Sequence, residues 1–258
     1  TKRYNAKTAG SKERTQKYRH CFADPRTANG FNRLWKDMCY QIVVEKAKGP
    51  RLTDIDGNDY IDIVNGFGSG FLGHSPDFVT EALKDQLDKT IAVGPQSEFA
   101  GETAELVCKL VDAERVCFVN TGSEAVQGAM RLARTVTGKD KVVVFSKDYH
   151  GNFDEVLVRG ANKKGKIKSL PIAPGIPRSA VDEIIVLDYG TDEALQTIGE
   201  IAGDIAAVMI EPMQSRRPEF QPVEFVKEVR KITEDAGCLF IFDEVITGFR
   251  TGPGGAQD

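Results

Sequence analysis

Two carboxylates stand at the end of an apolar run near the end of the sequence. Residues 238–250 read CLFIFDEVITGFR, so Asp243 and Glu244 directly follow a run with the composition of a buried strand. Removing a charged group from water costs several kcal/mol unless a partner compensates for it. We therefore expect a compensating cationic group to face Asp243 where this strand ends.

A second stretch, FVNTGSEAVQGAMRLAR, has the residues of a phosphate-binding turn. A strand-like run ends, Gly122 and Ser123 follow, and a helical pattern begins. The free N–H groups of a helix N-terminus, together with the helix dipole, bind phosphate, and the Ser123 hydroxyl could add a donor. The alternative is that Ser123 only caps the helix, with Glu124 supporting its first turn, and that no ligand binds there.

A third stretch, FSKDYHGN, places an aromatic residue and a histidine in the loop after a strand-like run. Tyr149 could stack on a planar ligand, and His150 could form a hydrogen bond or titrate near neutral pH. Taken alone, a tyrosine and a histidine in such a loop more often have a structural role than bind a ligand.

The sequence lacks the motifs of two other classes of ligand site. A strand ending in Asp-Glu also binds magnesium in ATPases, but those need a phosphate loop of the form GxxxxGK[ST]. The nearest match, residues 160–167, has Ile167 in place of the metal-binding hydroxyl and leads into prolines that prevent the required helix. A dinucleotide site needs a strand before GxGxxG and a helix after it, and residues 66–71, GFGSGF, have no immediate helix. We therefore expect no metal ion.

The elements that must position these residues alternate between aliphatic strands and amphipathic helices. The patterns predict strands at 115–119, 141–146, 183–187, 205–212 and 238–244, and helices at 76–89, 98–111, 123–137, 192–202 and 222–237. This alternation predicts an α/β fold, with a mostly parallel sheet flanked by helices. Ligands bind beyond the carboxyl ends of such strands, where Gly122, Tyr149, Glu211 and Asp243 fall.

The chain before and between these elements has a different character. Residues 1–30 are polar and predict a linker or solvated helix, and residues 31–75 predict a small α+β segment. In that segment a DG turn at 56–57 predicts an antiparallel hairpin, followed by a glycine-rich loop. Residues 76–258 form the predicted large domain, in which 159–179 is expected to be rich in loops.

The composition argues against proteins that bind nucleic acid or that bind or span membranes. The 258 residues are 28% charged and 41% hydrophobic, as in ordinary globular proteins, and a net charge of −4 gives no electrostatic reason to expect nucleic acid or an anionic membrane as a partner. No apolar run is long enough to span a membrane, and no signal-peptide pattern opens the chain. We expect a cytoplasmic protein whose five cysteines are reduced.

A protonated pyridine ring accounts for these residues together. In pyridoxal phosphate (PLP), a carboxylate beside the ring nitrogen keeps it protonated, so that the ring can accept electrons from a carbanion. Asp243 would be that carboxylate, Gly122 and Ser123 would hold the phosphate, Tyr149 would cover one ring face, and Val245 would press on the other.

The motifs NTGSEAVQGAMRLAR, YHG, IEP and DEVITGFR, in this order, resemble those of the class III PLP-dependent aminotransferases, particularly the glutamate-1-semialdehyde aminomutase-like branch. The resemblance extends from about Gly30 onward and implies the large domain of a fold type I PLP enzyme. The roles it implies are phosphate binding by Gly122 and Ser123, ring stacking by Tyr149 beside His150, pyridinium pairing by Asp243, packing by Val245, support by Glu211, and a place at the substrate mouth for Phe67.

Within the family, NGFNRLWKDMCYQIVVEKAKG and EPMQSRRPEFQPVEFVKEVR are most similar to aminotransferase domains embedded in polyketide and nonribosomal peptide synthases. The resemblance implies that an amino acid donates nitrogen to a β-ketoacyl thioester held on an acyl carrier protein, and that the enzyme is a homodimer. Arg216 and Arg217 could bind a phosphopantetheine phosphate or the acidic carrier, or could form only a solvated basic turn. The alternative activity is an intramolecular amino shift, as in the aminomutases.

Two departures from the family pattern matter. The lysine that family members use to hold the cofactor as a Schiff base is expected beyond Asp258, in a missing C-terminal part of the domain. We therefore expect these 258 residues alone to be inactive, and a non-catalytic fragment stays an alternative. In addition, MQSRRP replaces a small run containing Asn after the EP motif, which leaves contacts to the ring hydroxyl or substrate open.

Overall fold

The structure, a computed structural model, describes residues 1–24, 31–90, 94, 96–163 and 166–258, and only the backbone of residues 162, 163, 166 and 167. The chain forms two compact units, Thr1–Gln96 and Ser97–Asp258. The domain boundaries expected at 30/31 and 75/76 stay predictions.

The first unit contains a three-stranded antiparallel sheet in the order β1–β2–β3. Its strands are β1 (Val44–Lys48), β2 (Arg51–Asp54) and β3 (Asp59–Ile61). Strands β2 and β3 pair with Arg51 opposite Ile61, so the turn at Asp56 and Gly57 closes the hairpin expected from the DG signal. A helix α3 (Asp77–Lys89) follows later in this unit.

The polar start of the chain is helical and partly packed. Helices α1 (Lys2–Lys7) and α2 (Ala9–Tyr18) cover most of the stretch expected to be a linker or solvated helix. Between them, the buried Thr8 hydroxyl lies 2.7 Å from the Tyr40 hydroxyl. Buried Ser11 donates a hydrogen bond to Asp56 at 3.3 Å. Ser11 thus attaches helix α2 to the hairpin turn, and Thr8 attaches the start of the chain to Tyr40, which precedes β1.

The second unit has the predicted parallel sheet. Its helices are α4 (Phe99–Val111), α5 (Gly122–Thr137), α6 (Asp192–Ile201) and α7 (Val223–Ala236). Its strands are β4 (Lys141–Phe145), β5 (Val158–Lys163), β6 (Lys166–Pro171), β7 (Ile184–Leu187), β8 (Ile205–Ile210) and β9 (Leu239–Phe242). Four of these form one sheet in the order β7–β4–β8–β9, with every pair parallel.

Helices cover both faces of this sheet, so most side chains of its central strands β4 and β8 are buried whichever way they point. Val126 and Met130 of α5 pack with Met209 on one face. Ile198 of α6 packs on the other face, where Val229 of α7 also lies. Strand β8 is buried at all six positions, as its unbroken apolar run requires between two helix layers. The expected α/β architecture, with helices flanking a parallel sheet, is confirmed.

Two predicted elements are wrong. Residues 115–119 form no strand, because a strand is defined by its ladder partner and this segment pairs with no described strand. Residues 159–179, expected to be loop-rich, instead contain most of the antiparallel hairpin β5–β6, which starts at Val158. Lysines and glycine alternate with few apolar residues there, so the period-2 signal of a strand is weak.

Two further features bear on environment. In the part of the chain that the structure describes, no helix combines the length and apolar character needed to cross a membrane. All five cysteines are free thiols, and only Cys238 is buried.

Candidate active site

The polar residues singled out in the second unit follow the ends of neighbouring parallel strands. Tyr149 and His150 lie in the loop after β4, Glu211 directly follows β8, and Asp243 directly follows β9. Since β4, β8 and β9 run parallel, their carboxyl ends share one edge of the sheet. The fold thus brings these residues together, as predicted.

At this edge, His150 lies between two carboxylates. Its Nδ1 is 2.7 Å from Oδ2 of Asp243, and its Nε2 is 3.2 Å from Oδ2 of Asp148. The first contact is a hydrogen bond, whereas the second is an ion-pair contact whose angles fall short of one. The three side chains are at most 4% exposed. The charge on Asp243 is therefore met first by the neighbouring histidine.

The carboxylates determine the protonation of His150. Burial by itself lowers the pKa of this imidazole, but its contacts with Asp148 and Asp243 outweigh burial and raise the pKa to about 9. His150 is thus a cation at neutral pH, and Asp148, His150 and Asp243 together carry one net negative charge when both carboxylates are ionised.

A second layer of bonds fixes this group. The Gln214 side-chain amide donates to Asp148 Oδ1 at 2.5 Å and to the Ser146 carbonyl at 2.8 Å. The Glu211 carboxylate accepts from the Tyr149 amide at 2.8 Å. Burial raises the pKa of Glu211, and the bond from Tyr149 opposes that rise. Glu211 therefore holds the loop that carries Tyr149 and His150.

The start of helix α5 differs from the simplest prediction. Its N-cap is Thr121 and not Ser123: the Thr121 hydroxyl accepts from the Glu124 amide at 3.2 Å, and Glu124 accepts from the Thr121 amide at 3.1 Å. The amides of Gly122 and Ser123 have no acceptor in the described part of the chain. Two backbone donors and the positive end of a 16-residue helix thus remain available for an anion.

Close contacts join this helix start to the other loops. The Ser123 hydroxyl accepts from the Asn152 amide at 3.0 Å. A Cβ at Gly151, whose φ is +114°, would lie 2.5 Å from Ser123 Oγ, so no side chain fits there. A Cβ at Gly122 would lie 3.2 Å from a methyl group of Val245. The absence of these side chains lets the three segments meet.

Two exposed side chains flank the buried acids in sequence. The Tyr149 ring is 50% exposed and Val245 is 61% exposed, which suits residues that pack on a bound group. The Arg216 guanidinium lies 5.9 Å from the Tyr149 ring centroid, within the range of a cation–π contact. Phe67 belongs to the first unit, where it is 73% exposed and has a left-handed backbone with φ of +59°.

Glu244, the second acid of the opening pair, has a structural role. Its carboxylate accepts from the Ala256 amide at 2.6 Å, from the Gln257 amide at 3.1 Å and from the Thr247 hydroxyl at 2.7 Å. Adjacent acids thus have separate tasks: Asp243 faces the loop after β4, and Glu244 fixes the turn that ends the described chain.

Asp148 and Gln214 complete the site but were not predicted from the sequence. Both stand inside the quoted stretches, Asp148 in KDYHGN and Gln214 in EPMQSRRP, yet no spacing rule links them. Their 2.5 Å contact depends on β4 and β8 being neighbours in the sheet. The only sequence signal was closeness to a predicted site residue: Asp148 is next to Tyr149, and Gln214 lies three residues after Glu211.

The donor set fits a ligand with three parts. Free amides at the start of α5 suit an anion, the net negative charge around Asp243 suits a cation, and the Tyr149 ring suits a flat group.

Comparison with known proteins points in the same direction. The family model described as Aminotransferase class-III matches residues 33–257. Glutamate-1-semialdehyde 2,1-aminomutase of Aquifex aeolicus (strain VF5) is 39% identical over 220 residues, which make up 84% of this chain and 52% of that protein. The chain spans about half the length of the curated relatives that it matches.

Solved structures share the fold. A structure described as a transaminase with PLP bound superposes with a TM-score of 0.84 at 25% identity, over 96% of this chain and 58% of that one. A β-phenylalanine aminotransferase from Variovorax paradoxus superposes with a TM-score of 0.78 at 25% identity, over 95% of this chain and 54% of that one.

Proposed function

The chain belongs to the class III aminotransferase family, and on this premise we propose that the whole protein uses PLP to transfer an amino group from an amino acid to a keto compound. One observation carries the proposal: the buried pair of Asp243 and His150 lies at the same sheet edge as the free amides of Gly122 and Ser123. The net negative charge and the anion site match the two charged ends of PLP.

Each part of the cofactor has a partner of suitable chemistry. The amides of Gly122 and Ser123 would hold the phosphate, assisted by the helix dipole. Asp243 would hold the protonated ring nitrogen, Tyr149 would stack on the ring, and Val245 would pack against it. When bound, PLP supplies an electron sink for the carbanion that forms when a substrate amine loses its α-proton.

The residues of this chain would keep the bound ring able to accept electrons. The Asp243 carboxylate keeps a proton on the ring nitrogen, and its Oδ1 accepts from the Val245 amide at 3.1 Å, which fixes its orientation. His150 bonds to Oδ2 of the same carboxylate at 2.7 Å and prevents its rotation. Glu211 bonds to the Tyr149 amide and keeps the stacking ring in place. The lysine that would move the substrate proton is proposed to follow residue 258.

The proposed acceptor is a β-ketoacyl thioester on an acyl carrier protein, in polyketide or nonribosomal peptide synthesis. The resemblance of the sequence to such domains supports this, and so does the fold shared with a β-phenylalanine aminotransferase, a protein named for a β-amino acid. Exposed Arg216 lies beside the Tyr149 ring, where a guanidinium could pair with a phosphopantetheine phosphate. We also propose a homodimer and a cytoplasmic location.

A second candidate is an intramolecular amino shift, supported by the name of the Aquifex aeolicus relative. The two activities differ in their need for an external donor, and Phe67 is proposed to line the substrate mouth in both.

The experiment that tests the proposal uses the whole protein loaded with PLP. Purified protein is given a β-ketoacyl carrier protein with and without amino acids, and the acyl product is identified by mass spectrometry. A β-amino product that requires an amino acid supports transamination, whereas rearrangement of glutamate-1-semialdehyde without a donor supports the second candidate. Failure to bind PLP would refute both.

Arg216→Ala together with Arg217→Ala tests the carrier contact. The expected result is slower turnover of the carrier-bound acceptor, with the reaction of the free amino donor unchanged. Arg230→Ala, in the exposed part of α7, is the matched control.

A further inference from the structure

His150 is paired with two carboxylates although one would satisfy its bond to Asp243. Asp148 Oδ2 lies 3.2 Å from its Nε2, with the Asp148 side chain 1% exposed. A second buried carboxylate is costly unless it compensates a charge. Its presence indicates a task that a single acid could not perform.

The charge balance identifies that task. With Asp243 alone, an imidazolium at His150 would neutralise the carboxylate and leave no net charge for a ligand. When Asp148 is included, its carboxylate compensates the imidazolium charge at Nε2. One negative charge then remains at Asp243, where β9 ends.

Gln214 fixes Asp148 in the orientation this requires. Its amide donates to Oδ1 of Asp148 at 2.5 Å, leaving Oδ2 directed at His150, and its side chain is fully buried. The Glu211 amide adds a bond to Oδ2 at 3.3 Å. Neither donor can be a proton source for Asp148, since amides do not titrate in this range.

We propose that Asp148 is a positioning residue that neutralises the His150 imidazolium, so that the charge of Asp243 stays available for the protonated ring of the cofactor. This rests on the proposed function only for the identity of that ring. Of the other titratable groups, Glu211 interacts with His150, and Tyr189 interacts with Asp148 and Glu211; burial raises the pKa of both. Tyr189 is a neutral phenol at all pH values used below, and it donates to the Pro212 carbonyl.

The first test follows the His150 imidazole by nitrogen NMR in the whole protein stripped of cofactor, with histidine labelled with ¹⁵N and the signal assigned by its loss in His150→Gln. The expected result is titration above pH 8 in the wild type and a fall in the pKa of at least about one unit, a tenfold loss of proton affinity, in Asp148→Asn. Asp188→Asn is the matched control, since Asp188 follows β7 at the same sheet edge but is exposed.

The second test adds pyridoxamine phosphate with a ¹⁵N ring. The measurement is made below the His150 pKa found for each protein in the first test, so that the imidazolium is present. The expected result is a protonated ring nitrogen in the wild type and in Asp188→Asn, and a shift toward the neutral form in Asp148→Asn. Unchanged His150 titration or an unchanged ring signal in Asp148→Asn would overturn the proposal. If no pyridoxamine phosphate binds, the proposed function fails, and the first test still decides whether Asp148 sets the charge of His150.

A folding defect does not remove the test. If Asp148→Asn fails to fold, Asp148→Ser offers a hydroxyl acceptor to Gln214 and is titrated in the same way. If neither variant folds while Asp188→Asn does, Asp148 is a structural residue and the proposal is wrong.

Discussion

His150 and Asp243 stand 93 residues apart in the chain, yet their side chains share a 2.7 Å hydrogen bond that is almost closed to water. The contact exists because β4 and β9 flank β8 in one parallel sheet. The loop after β4 and the end of β9 then meet at the edge where a ligand would bind.

Replacing Asp243 tests the central pair. Asp243→Asn keeps the shape of the side chain but removes its negative charge, so it cannot stabilise the protonated ring nitrogen. We therefore predict a loss in transamination rate of at least about a thousandfold, equivalent to about 4 kcal/mol. Circular dichroism should show the fold intact. Asp235→Asn, at an exposed position of α7, should retain full activity. A rate near that of the wild type in Asp243→Asn would refute the assignment.

The pKa of His150 predicts a pH dependence of stability. This pKa is about 9 in the folded chain and about 6.5 when unfolded, so the folded state binds the proton more tightly. The stabilisation is therefore complete below pH 6.5 and is lost as the pH rises through about 9, by on the order of 3 kcal/mol. Urea denaturation between pH 6 and 10 measures it, and His150→Gln should flatten the curve over that interval.

The close approach of Gly151 to helix α5 predicts a steric effect. Gly151→Ala places a Cβ at a φ of +114° and 2.9 Å from the Cα of Ser123, so we predict a loss of stability of about 2 kcal/mol or more, together with weaker PLP binding. Gly128→Ala, inside α5 with open space around it, should instead raise stability by about 0.5–1 kcal/mol. Equal effects at the two positions would contradict the packing described.

The cap of α5 predicts a smaller effect. Thr121→Ala removes the acceptor for the Glu124 amide and should cost about 1 kcal/mol, measured by chemical denaturation. Thr135→Ala, whose hydroxyl bonds only to a carbonyl of its own helix, should change stability by less than about 0.5 kcal/mol. Similar losses in both variants would show that the capping box contributes nothing.

The hydrogen bonds of Asp54 predict that the first unit loses stability at acidic pH. Its buried carboxylate accepts from the Asn58 amide and from the Tyr60 hydroxyl, both at 2.8 Å. Burial alone would raise the pKa of Asp54, but these bonds outweigh it and lower the pKa, so the stabilisation holds above the unfolded value near 4 and is lost as the pH falls further. Asp54→Asn should cost about 2 kcal/mol, and exposed Asp59→Asn much less. Denaturation of both variants at pH 7 gives the comparison.

Much of the second unit could be predicted from sequence because each element carries its own periodicity. Helix α5 and strand β8 begin within one residue of their predicted starts. The segment 115–119 failed because its composition favours a strand, but pairing depends on a neighbour that sequence does not name. The site residues Tyr149, His150, Glu211 and Asp243 were brought together as expected, whereas their cofactor contacts stay predictions.

The rest of the site depends on distances that only the fold sets. Of the two roles that the sequence left open for Ser123, the cap is wrong, because the backbone places Thr121 at that position and the Ser123 hydroxyl accepts from the Asn152 amide. Asp148 was missed because its partners, among them His150 and Gln214, define its role through geometry alone.

The position of β9 in the sheet has a consequence for biosynthesis. Among the described residues β9 is the last strand, and it pairs with β8, so Asp243 can reach His150 only after residues 1–243 have been synthesised. Until that moment the nascent chain has only Asp148 opposite the imidazole, a neutral pair without the charge a pyridinium needs. Capture of the proposed cofactor through Asp243 therefore has to wait until β9 has been synthesised.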